Sequence, residues 1–171
     1  MNIENKVAYI TGGTKGIGFG IAKSLLAAGL KVAISGRNLA DVEKAKAELG
    51  SENVLALASD VRHFTDEENA VKEIVAKFGK LDIVIANAGL GKFAPIDQLS
   101  LEDWNAMIDT NLTGVFHTLK ASVEQLKANK GYYFSIASLA GTNFFANGAG
   151  YNASKFGVVG FTQAAMLDLR A

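Results

Sequence analysis

Thr11-Gly12-Gly13-Thr14-Lys15-Gly16-Ile17-Gly18 is the stretch of sequence that decides the fold. It falls directly between a short apolar run at residues 7–10 and a segment whose apolar residues recur at helical spacing. Glycines in such a connection allow a tight turn and let backbone N–H groups approach a pyrophosphate at the helix N-terminus. The glycine spacing differs from the common G-x-G-x-x-G pattern, and the turn could be only a tight connection. Its place after the first strand favours a phosphate-binding loop.

Strands and helices alternate along the rest of the chain. Short apolar runs predict strands at residues 7–10, 32–35, 54–58, 81–86 and 132–137. Helical spacing predicts helices around residues 17–26, 42–49, 71–78, 112–128 and 151–170. Ser100 with Asp103 resembles a capping box that begins another helix near Trp104. This pattern predicts a single α/β domain over residues 1–171, a doubly wound parallel sheet (Rossmann-like) of at least five strands with helices on both faces.

The composition narrows the classes of function. The chain has 17 basic and 17 acidic residues, so it lacks the charge expected of a nucleic-acid binder. It has no cysteine, which excludes disulfides and thiol chemistry, and its two histidines lack the spacing of metal ligands. The sequence shows neither an apolar signal core nor a run of membrane-spanning length. We therefore expect a cytoplasmic enzyme or binding domain without a metal, a membrane or a nucleic acid as partner.

Tyr151 and Lys155 lie four residues apart and would share one face of a helix. An ammonium beside a phenol stabilises the phenolate and lowers the pKa of the tyrosine from its usual value of about 10. A tyrosine tuned in this way is a usable proton donor or acceptor. The pair is weak evidence by itself, because Tyr and Lys fall four apart by chance on many solvated helices.

The end of the second predicted strand indicates which dinucleotide would bind. An acidic residue there binds the ribose 2′-hydroxyl of NAD, whereas an arginine accommodates the 2′-phosphate of NADP. The chain has Ser35-Gly36-Arg37-Asn38 and no acid, and Lys15 could bring a second positive charge to the same phosphate. Both basic residues could instead be ordinary surface charges. We predict NADP(H) as the cofactor.

These pieces together closely resemble the compact subclass of the short-chain dehydrogenase/reductase family, from residue 6 to about residue 170. Residues 11–18 match its Thr-Gly-x-x-x-Gly-x-Gly signature, and Asp60 with Val61 matches the position of its adenine-contacting aspartate. Residues 87–89 match its Asn-Asn-Ala-Gly motif, except that Ala86 replaces the first asparagine and should cost one polar support. The cofactor contacts implied by the resemblance are Gly12, Thr14, Lys15, Gly16, Ile17, Gly18, Arg37, Asp60, Val61, Asn87, Ala88, Gly89, Tyr151 and Lys155.

The resemblance also identifies four catalytic positions: Asn111, Ser138, Tyr151 and Lys155. It implies hydride transfer between NADP(H) and a carbonyl or alcohol substrate. Ser138 would hydrogen-bond the substrate oxygen, and Tyr151 would deliver the proton. Lys155 would lower the pKa of the tyrosine and bind the nicotinamide ribose, while Asn111 would hold a water. Ser138 lacks the family's Asn-x-Ser-Ser context, and from the residues alone either Ser138 or Asn111 could be a helix cap or a core hydrogen-bonder.

The chain ends earlier than the family pattern. Members continue beyond the Tyr/Lys helix with two further strands and a substrate-covering segment. An end at Ala171 would leave the fifth strand at a sheet edge, where its apolar run at 132–136 lacks protecting charges or prolines. We therefore expect the native protein to be longer, with its C-terminal strands absent from this chain.

The resemblance implies partners as well. Family members commonly associate through the two helices predicted at 112–128 and 151–170, which favours a homodimer or homotetramer. Phe93, Leu139, Phe144 and Phe145 could line an apolar substrate pocket, or they could simply pack together.

Three functions compete. The first is an NADP(H)-dependent oxidoreductase acting on a ketone, aldehyde or secondary alcohol, with 3-oxoacyl reduction a common family activity. The second is a non-catalytic NADP(H)-binding sensor that keeps the fold, which the short chain favours and the four catalytic positions oppose. The third is a nucleotide-sugar epimerase or dehydratase, which shares the Tyr/Lys pair but usually has a shorter gap between its first two glycines and a longer chain.

Overall fold

The computed structural model describes residues 3–170 and has the alternating order that the sequence predicts. Its strands are β1 Val7–Ile10, β2 Lys31–Gly36, β3 Val54–Ala58, β4 Ile83–Ala86 and β5 Tyr132–Ser135. Its α-helices are α1 Gly16–Ala27, α2 Leu39–Leu49, α3 Phe64–Phe78, α4 Leu101–Ile108, α5 Gly114–Asn129 and α6 Ala149–Asp168. A π-helical turn, Asp109–Thr113, joins α4 to α5, and a 3-10 turn, Leu139–Gly141, precedes α6.

The five strands form one parallel sheet in the order β3-β2-β1-β4-β5. The chain builds the sheet outward from β1 to β3 and then returns to place β4 on the other side of β1. Ligands of open α/β sheets bind at the carboxyl ends of the strands where the order reverses, here between β1 and β4. The predicted Rossmann-like fold is confirmed, and the glycine-rich loop lies at this reversal.

The sheet is buried between two apolar layers, as expected for parallel strands. One face carries Tyr9 and Val84 and packs against α3 and α5 through residues such as Ile74 and Leu119. The opposite face packs against α1 and α2. All four residues of β1 are fully buried, so the first strand is the centre of the core.

Two predicted strands are shorter in the structure than in the sequence prediction. The strand predicted at 81–86 begins at Ile83, although backbone hydrogen bonds to the neighbouring strands reach Asp82: its N–H donates to Val7 O (3.0 Å), and its carbonyl oxygen accepts the N–H of Tyr132 (2.8 Å). The strand predicted at 132–137 ends at Ser135, opposite Ala86, because its partner β4 ends there.

The helix predicted from about residue 112 has a different beginning. The helical path is continuous from Leu101 to Asn129, because the π-turn connects α4 directly to α5. Ser100 begins this path as predicted, with its side chain accepting the N–H of Asp103 (3.0 Å). Single π-turns within α-helices frequently lie at functional sites, and this one contains the fully buried Asn111.

β5 lies at one edge of the sheet and exposes part of its apolar sequence. Tyr132 and Phe134 are 40% and 52% exposed, respectively. Among residues 3–170, no helix is long and apolar enough to cross a membrane.

Candidate active site

The glycine-rich loop connects the end of β1 to the first turn of α1. Gly12 and Gly16 have φ angles of 64° and 57°, in the left-handed region that glycine adopts without strain. A Cβ on Gly18 would lie 2.5 Å from Gly12 O, so α1 approaches the loop closely only because this residue lacks a side chain. The first turn of α1 carries no acid, and Lys15 before it makes no side-chain cap. The uncapped N–H groups therefore form a positive site suited to a phosphate.

Asn87 fixes this loop to the end of β4. Its Nδ2 donates to Thr11 O (2.9 Å) and Gly12 O (3.1 Å). In return, Thr11 Oγ1 accepts the backbone N–H groups of Asn87 (3.0 Å) and Ala88 (3.1 Å). Ala86, where the family motif has asparagine, is buried in an apolar cluster beside Val115 and Val158. Asn87 thus provides the polar connection between the ends of β1 and β4.

Arg37 and Asp60 follow the neighbouring strands β2 and β3. Arg37 is exposed and forms no ion pair with any residue in the described range 3–170. Asp60 is bound by Arg62, whose Nη2 lies 2.6 Å from Asp60 Oδ2. Burial alone would raise the pKa of Asp60, but the hydrogen bonds from Arg62 outweigh it and hold the pKa below its ordinary value. Val61 is buried, and its carbonyl oxygen lies 2.9 Å from His117 Nδ1.

Tyr151 and Lys155 lie on consecutive turns of α6. Lys155 is only 6% exposed, and its Nζ donates to Ile136 O (2.7 Å) in the loop after β5. The same nitrogen lies 5.9 Å from the centroid of the Tyr151 ring. Burial lowers the pKa of Lys155 by disfavouring its charged form. The structure therefore places the ammonium beside the aromatic ring and between α6 and the loop after β5.

Ser138 begins the 3-10 turn after β5. Its Oγ accepts the N–H of Ala140 (3.1 Å), so this serine caps the turn, and its catalytic role stays a prediction. Asn152 then fixes this turn to α6, because its Nδ2 donates to Ala140 O and to Asn143 O (2.8 Å each). The sequence analysis missed Asn152: its only signal was a polar residue next to Tyr151, and its partners lie nine and twelve residues away.

Asn111 is fully buried, and its side chain forms hydrogen bonds within the core, which is one of the two structural roles that the sequence left open for it. Its Oδ1 accepts the N–H of Leu90 (2.8 Å), and its Nδ2 donates to Leu90 O (2.8 Å). The same Nδ2 donates to Ser154 Oγ (3.0 Å), next to Lys155 on α6. The Asn111 side chain thus joins the loop after β4 to the helix that carries the Tyr/Lys pair.

An aromatic group covers one side of Tyr151. The Phe93 ring meets the Tyr151 ring edge-on at 5.5 Å between centroids, and Phe145 meets Phe93 at 5.9 Å. Two neighbouring apolar side chains, Leu139 and Phe144, are 81% and 87% exposed. A hydrophobic surface therefore extends from the tyrosine to the solvent.

The loops after β1, β4 and β5 meet at one end of the sheet and bring the predicted site residues with them. No group of three or more His, Asp or Glu side chains among residues 3–170 is placed to hold a metal ion. The site therefore has a phosphate-binding loop at one side and the Tyr151/Lys155 pair at the other.

Comparison with known proteins identifies the family. The family model described as short chain dehydrogenase matches residues 6–171. The chain belongs to this family. This short chain dehydrogenase is 34% identical over 168 residues to a 3-oxoacyl-[acyl-carrier-protein] reductase of Synechocystis sp., an alignment that covers 96% of the chain and 68% of the relative. The chain spans 63–68% of the length of five curated relatives that it matches.

Solved structures of related dehydrogenases have the same fold. One is an alcohol dehydrogenase from the archaeon Thermococcus sibiricus complexed with 5-hydroxy-NADP (TM-score 0.92, 34% identity, covering 96% of this chain and 72% of that one). Another is a 3-ketoacyl-(acyl-carrier-protein) reductase from Brucella melitensis complexed with NADH (TM-score 0.93, 33% identity, covering 98% and 71%). The short chain dehydrogenases that it resembles therefore include proteins bound to each type of nicotinamide cofactor.

Proposed function

We propose that this chain is an NADP(H)-dependent oxidoreductase of the 3-oxoacyl or small-ketone reductase type. The observation that carries the proposal is the buried Lys155 ammonium beside the Tyr151 ring, at the sheet end that also carries the phosphate-binding loop. Burying an ammonium group costs free energy unless the charge is paired and hydrogen-bonded. Titratable groups with perturbed pKa values cluster at functional sites.

The cradle at the glycine-rich loop fits a dinucleotide. Gly12 and Gly18 hold the loop, the helix and Asn87 so close that a Cβ at either position would collide with a neighbour. Residues 35–38 contain no acid, and the exposed Arg37 is free to meet a 2′-phosphate, which favours NADP(H) over NAD(H). When bound, the nicotinamide supplies or accepts the hydride.

The protein's own groups would handle the proton and the charge on the substrate oxygen. Tyr151 would give its phenolic proton to that oxygen in the reducing direction, assisted by the positive charge of Lys155. Ser138 Oγ accepts the Ala140 N–H, so its own proton remains available for the same substrate oxygen. Asn111 would set the position of α6 relative to the loop after β4. We also propose that Asn111 holds a water molecule.

The surface beside Tyr151 supports a substrate with an apolar group next to its carbonyl or alcohol carbon. Phe93, Phe145, Phe144 and Leu139 form this surface, and three of their four side chains are more than half exposed. A ketone or secondary alcohol with an alkyl or aryl substituent would bury apolar area there, worth about 25 cal/mol for each Å² removed from water.

We further propose self-association through α5 and α6. Phe116 on α5 and Phe156 on α6 are 42% and 43% exposed, so both helices present large apolar side chains to solvent. Paired helices of this kind would give a homodimer or homotetramer. The cytoplasmic location expected from the sequence stays a prediction.

The proposal is tested by following NADPH oxidation with a panel of alkyl and aryl ketones, aldehydes and 3-oxoacyl thioesters. We expect activity with at least one class, and a loss of at least about 100-fold in turnover for Tyr151→Phe. Equal activity of the two proteins would refute the mechanism. NADPH binding without turnover of any substrate would favour the sensor alternative, and a preference for NADH would contradict the role given to Arg37.

A further inference from the structure

A carboxyl group that the proposed chemistry does not use lies in the core beneath the cofactor site. Glu67, on the first turns of α3, has no solvent exposure. Tyr9 Oη donates to Glu67 Oε1 (2.9 Å), and Ser59 Oγ donates to the same oxygen (2.7 Å). One carboxyl oxygen therefore joins the central strand β1 to the end of β3.

The same hydrogen bonds continue to the backbone of the loops that would hold the cofactor. Ser35 Oγ lies 3.0 Å from Tyr9 Oη, and Ser35 O accepts the N–H of Gly13 in the glycine-rich loop (3.0 Å). The N–H of Ser59 donates to Gly36 O (3.0 Å). Ser35 and Ser59 thus immediately precede residues 36–37 and 60–61, the segments assigned to the adenosine half of the cofactor.

The second oxygen of this carboxyl group, Glu67 Oε2, has no hydrogen-bond partner within residues 3–170. The nearby Thr118 hydroxyl on α5 donates its proton to Gly114 O (2.8 Å) instead. A buried carboxylate with an unpaired oxygen is unfavourable, whereas a neutral carboxylic acid can still accept both donors on Oε1.

No lysine or arginine in the described chain forms an ion pair with Glu67. The titratable groups that face it are Tyr9 from β1, Tyr133 from β5 and His117 from α5. Burial raises the pKa of Glu67, and the nearby hydroxyl groups of Ser59, Thr118 and Tyr9, together with His117, offset this only in part. Burial, together with the Glu67 charge, also raises the pKa of Tyr9, so the phenol stays a donor.

We propose that Glu67 is a positioning residue for the adenosine half of the cofactor site, and that loss of its proton as the pH rises loosens that half. The inference rests on the proposed NADP(H) binding. When Glu67 is neutral, its Oε1 accepts the hydrogen bonds from both Tyr9 and Ser59. The anion places an unpaired charge in the core, and this favours opening of the contacts that connect β2, β3 and the glycine-rich loop.

The test compares NADPH affinity across pH in three proteins: the native chain, Glu67→Gln and Glu73→Gln. Glutamine keeps an acceptor oxygen for both donors and cannot ionise, and its amide nitrogen would take the place of the oxygen that no donor faces. Glu73 is an exposed carboxylate on the same helix and is the matched control. The 2′-phosphate of NADPH titrates alike in all three proteins, so it cancels from the comparison.

We expect the dissociation constant of the native chain to rise at least about threefold more than that of Glu67→Gln between about pH 5 and about pH 9. Glu73→Gln should follow the native chain. Fluorescence titration of NADPH gives the affinities, and circular dichroism verifies that each protein is folded at each pH. A destabilised but correctly positioned site would change the melting temperature and leave these affinity profiles parallel.

Parallel profiles for the native chain and Glu67→Gln would overturn the inference while leaving NADP(H) binding intact. Absence of NADPH binding by the native chain at every pH would overturn the proposed function, and this inference with it. If Glu67→Gln does not fold, Tyr9→Phe replaces it. Removing the Tyr9 donor should move the midpoint of the native pH profile upward, and an unchanged midpoint would contradict the inference.

Discussion

The two ends of the candidate site are built by different means. The nucleotide end consists mainly of backbone: glycines at positive φ and the uncapped N–H groups of α1, fixed by Thr11 and Asn87. The chemical end consists of side chains on α6 and on the turn before it, fixed by hydrogen bonds from Asn111 and Asn152. A larger side chain at a glycine should therefore impair the nucleotide end, whereas truncation of a side chain should impair the chemical end. Cofactor affinity and turnover should respond to different substitutions.

The largest effect is expected from Lys155→Met. Removing the ammonium beside Tyr151 should lower turnover by about 100-fold or more. The NADPH dissociation constant should rise by much less, because only the expected contact of Lys155 with the nicotinamide ribose is lost. Steady-state kinetics and NADPH titration of the same preparations measure the two quantities. Lys23→Met, at an exposed position on α1, is the control and should match the native chain in both. Equal losses of affinity and turnover would break the division between the two ends.

The same variant carries a prediction about pH. The pKa of Lys155 is lower in the folded chain than in the unfolded one, so the unfolded chain binds more protons and native stability rises as the pH passes from the folded to the unfolded pKa. Lys155→Met has no such rise. The unfolding free energy of the variant minus that of the native chain should therefore fall from neutral pH toward about pH 10 in urea titrations. A constant difference would contradict the burial of a charged ammonium.

Gly18→Ala tests the nucleotide end. The added Cβ would lie 2.5 Å from both Gly12 O and Asn87 Nδ2, so the loop and α1 must separate. We expect NADPH to bind at least about tenfold more weakly, because the phosphate-binding N–H groups move together with the loop. Gly20→Ala on the same helix meets no atom within 4 Å and should be stabilising by up to about 1 kcal/mol, with unchanged affinity. Equal NADPH affinity in both variants would show that the close approach at Gly18 is not needed.

Arg37→Asp should change cofactor choice rather than turnover. Arg37 is exposed and forms no ion pair among residues 3–170, so its loss should leave the melting temperature nearly unchanged. The acid would repel a 2′-phosphate and bind a ribose hydroxyl, and we expect the NADPH-to-NADH preference to fall about tenfold or more. An unaltered preference would mean that another residue selects the cofactor.

Asn152→Ala is expected to have the smallest effect on catalysis. It removes the hydrogen bonds that Nδ2 donates to Ala140 O and Asn143 O and the one that Oδ1 accepts from the N–H of Phe145, which should cost about 1–3 kcal/mol of unfolding free energy. The Ser138 turn would lose its connection to α6, so turnover should fall several-fold with NADPH affinity retained. The exposed Asn105 on α4, changed to alanine, is the matched control for stability. A loss of affinity alone would contradict the assignment of Asn152 to the chemical end.

The two ends also differ in how far the sequence predicts them. The glycine-rich loop and the Tyr151–Lys155 spacing depend on neighbours along the chain, so both could be predicted, and the structure places them at one end of the sheet. The contacts of Asn111 join residues 21 and 43 positions apart. No local pattern reports such contacts, and this is also why the carboxyl network of Glu67, which reaches 58 positions along the chain to Tyr9, could not be predicted.

The central claim is that binding and chemistry are separate at the two ends, and Tyr151→Phe tests it most directly. The variant removes one oxygen atom from a ring that remains packed edge-on against Phe93. NADPH titration and turnover should be measured on the same preparation, with an accepted ketone. The account predicts an NADPH dissociation constant within about twofold of the native value and turnover at least about 100-fold lower. Turnover close to the native rate, or a parallel loss of NADPH affinity, would contradict it.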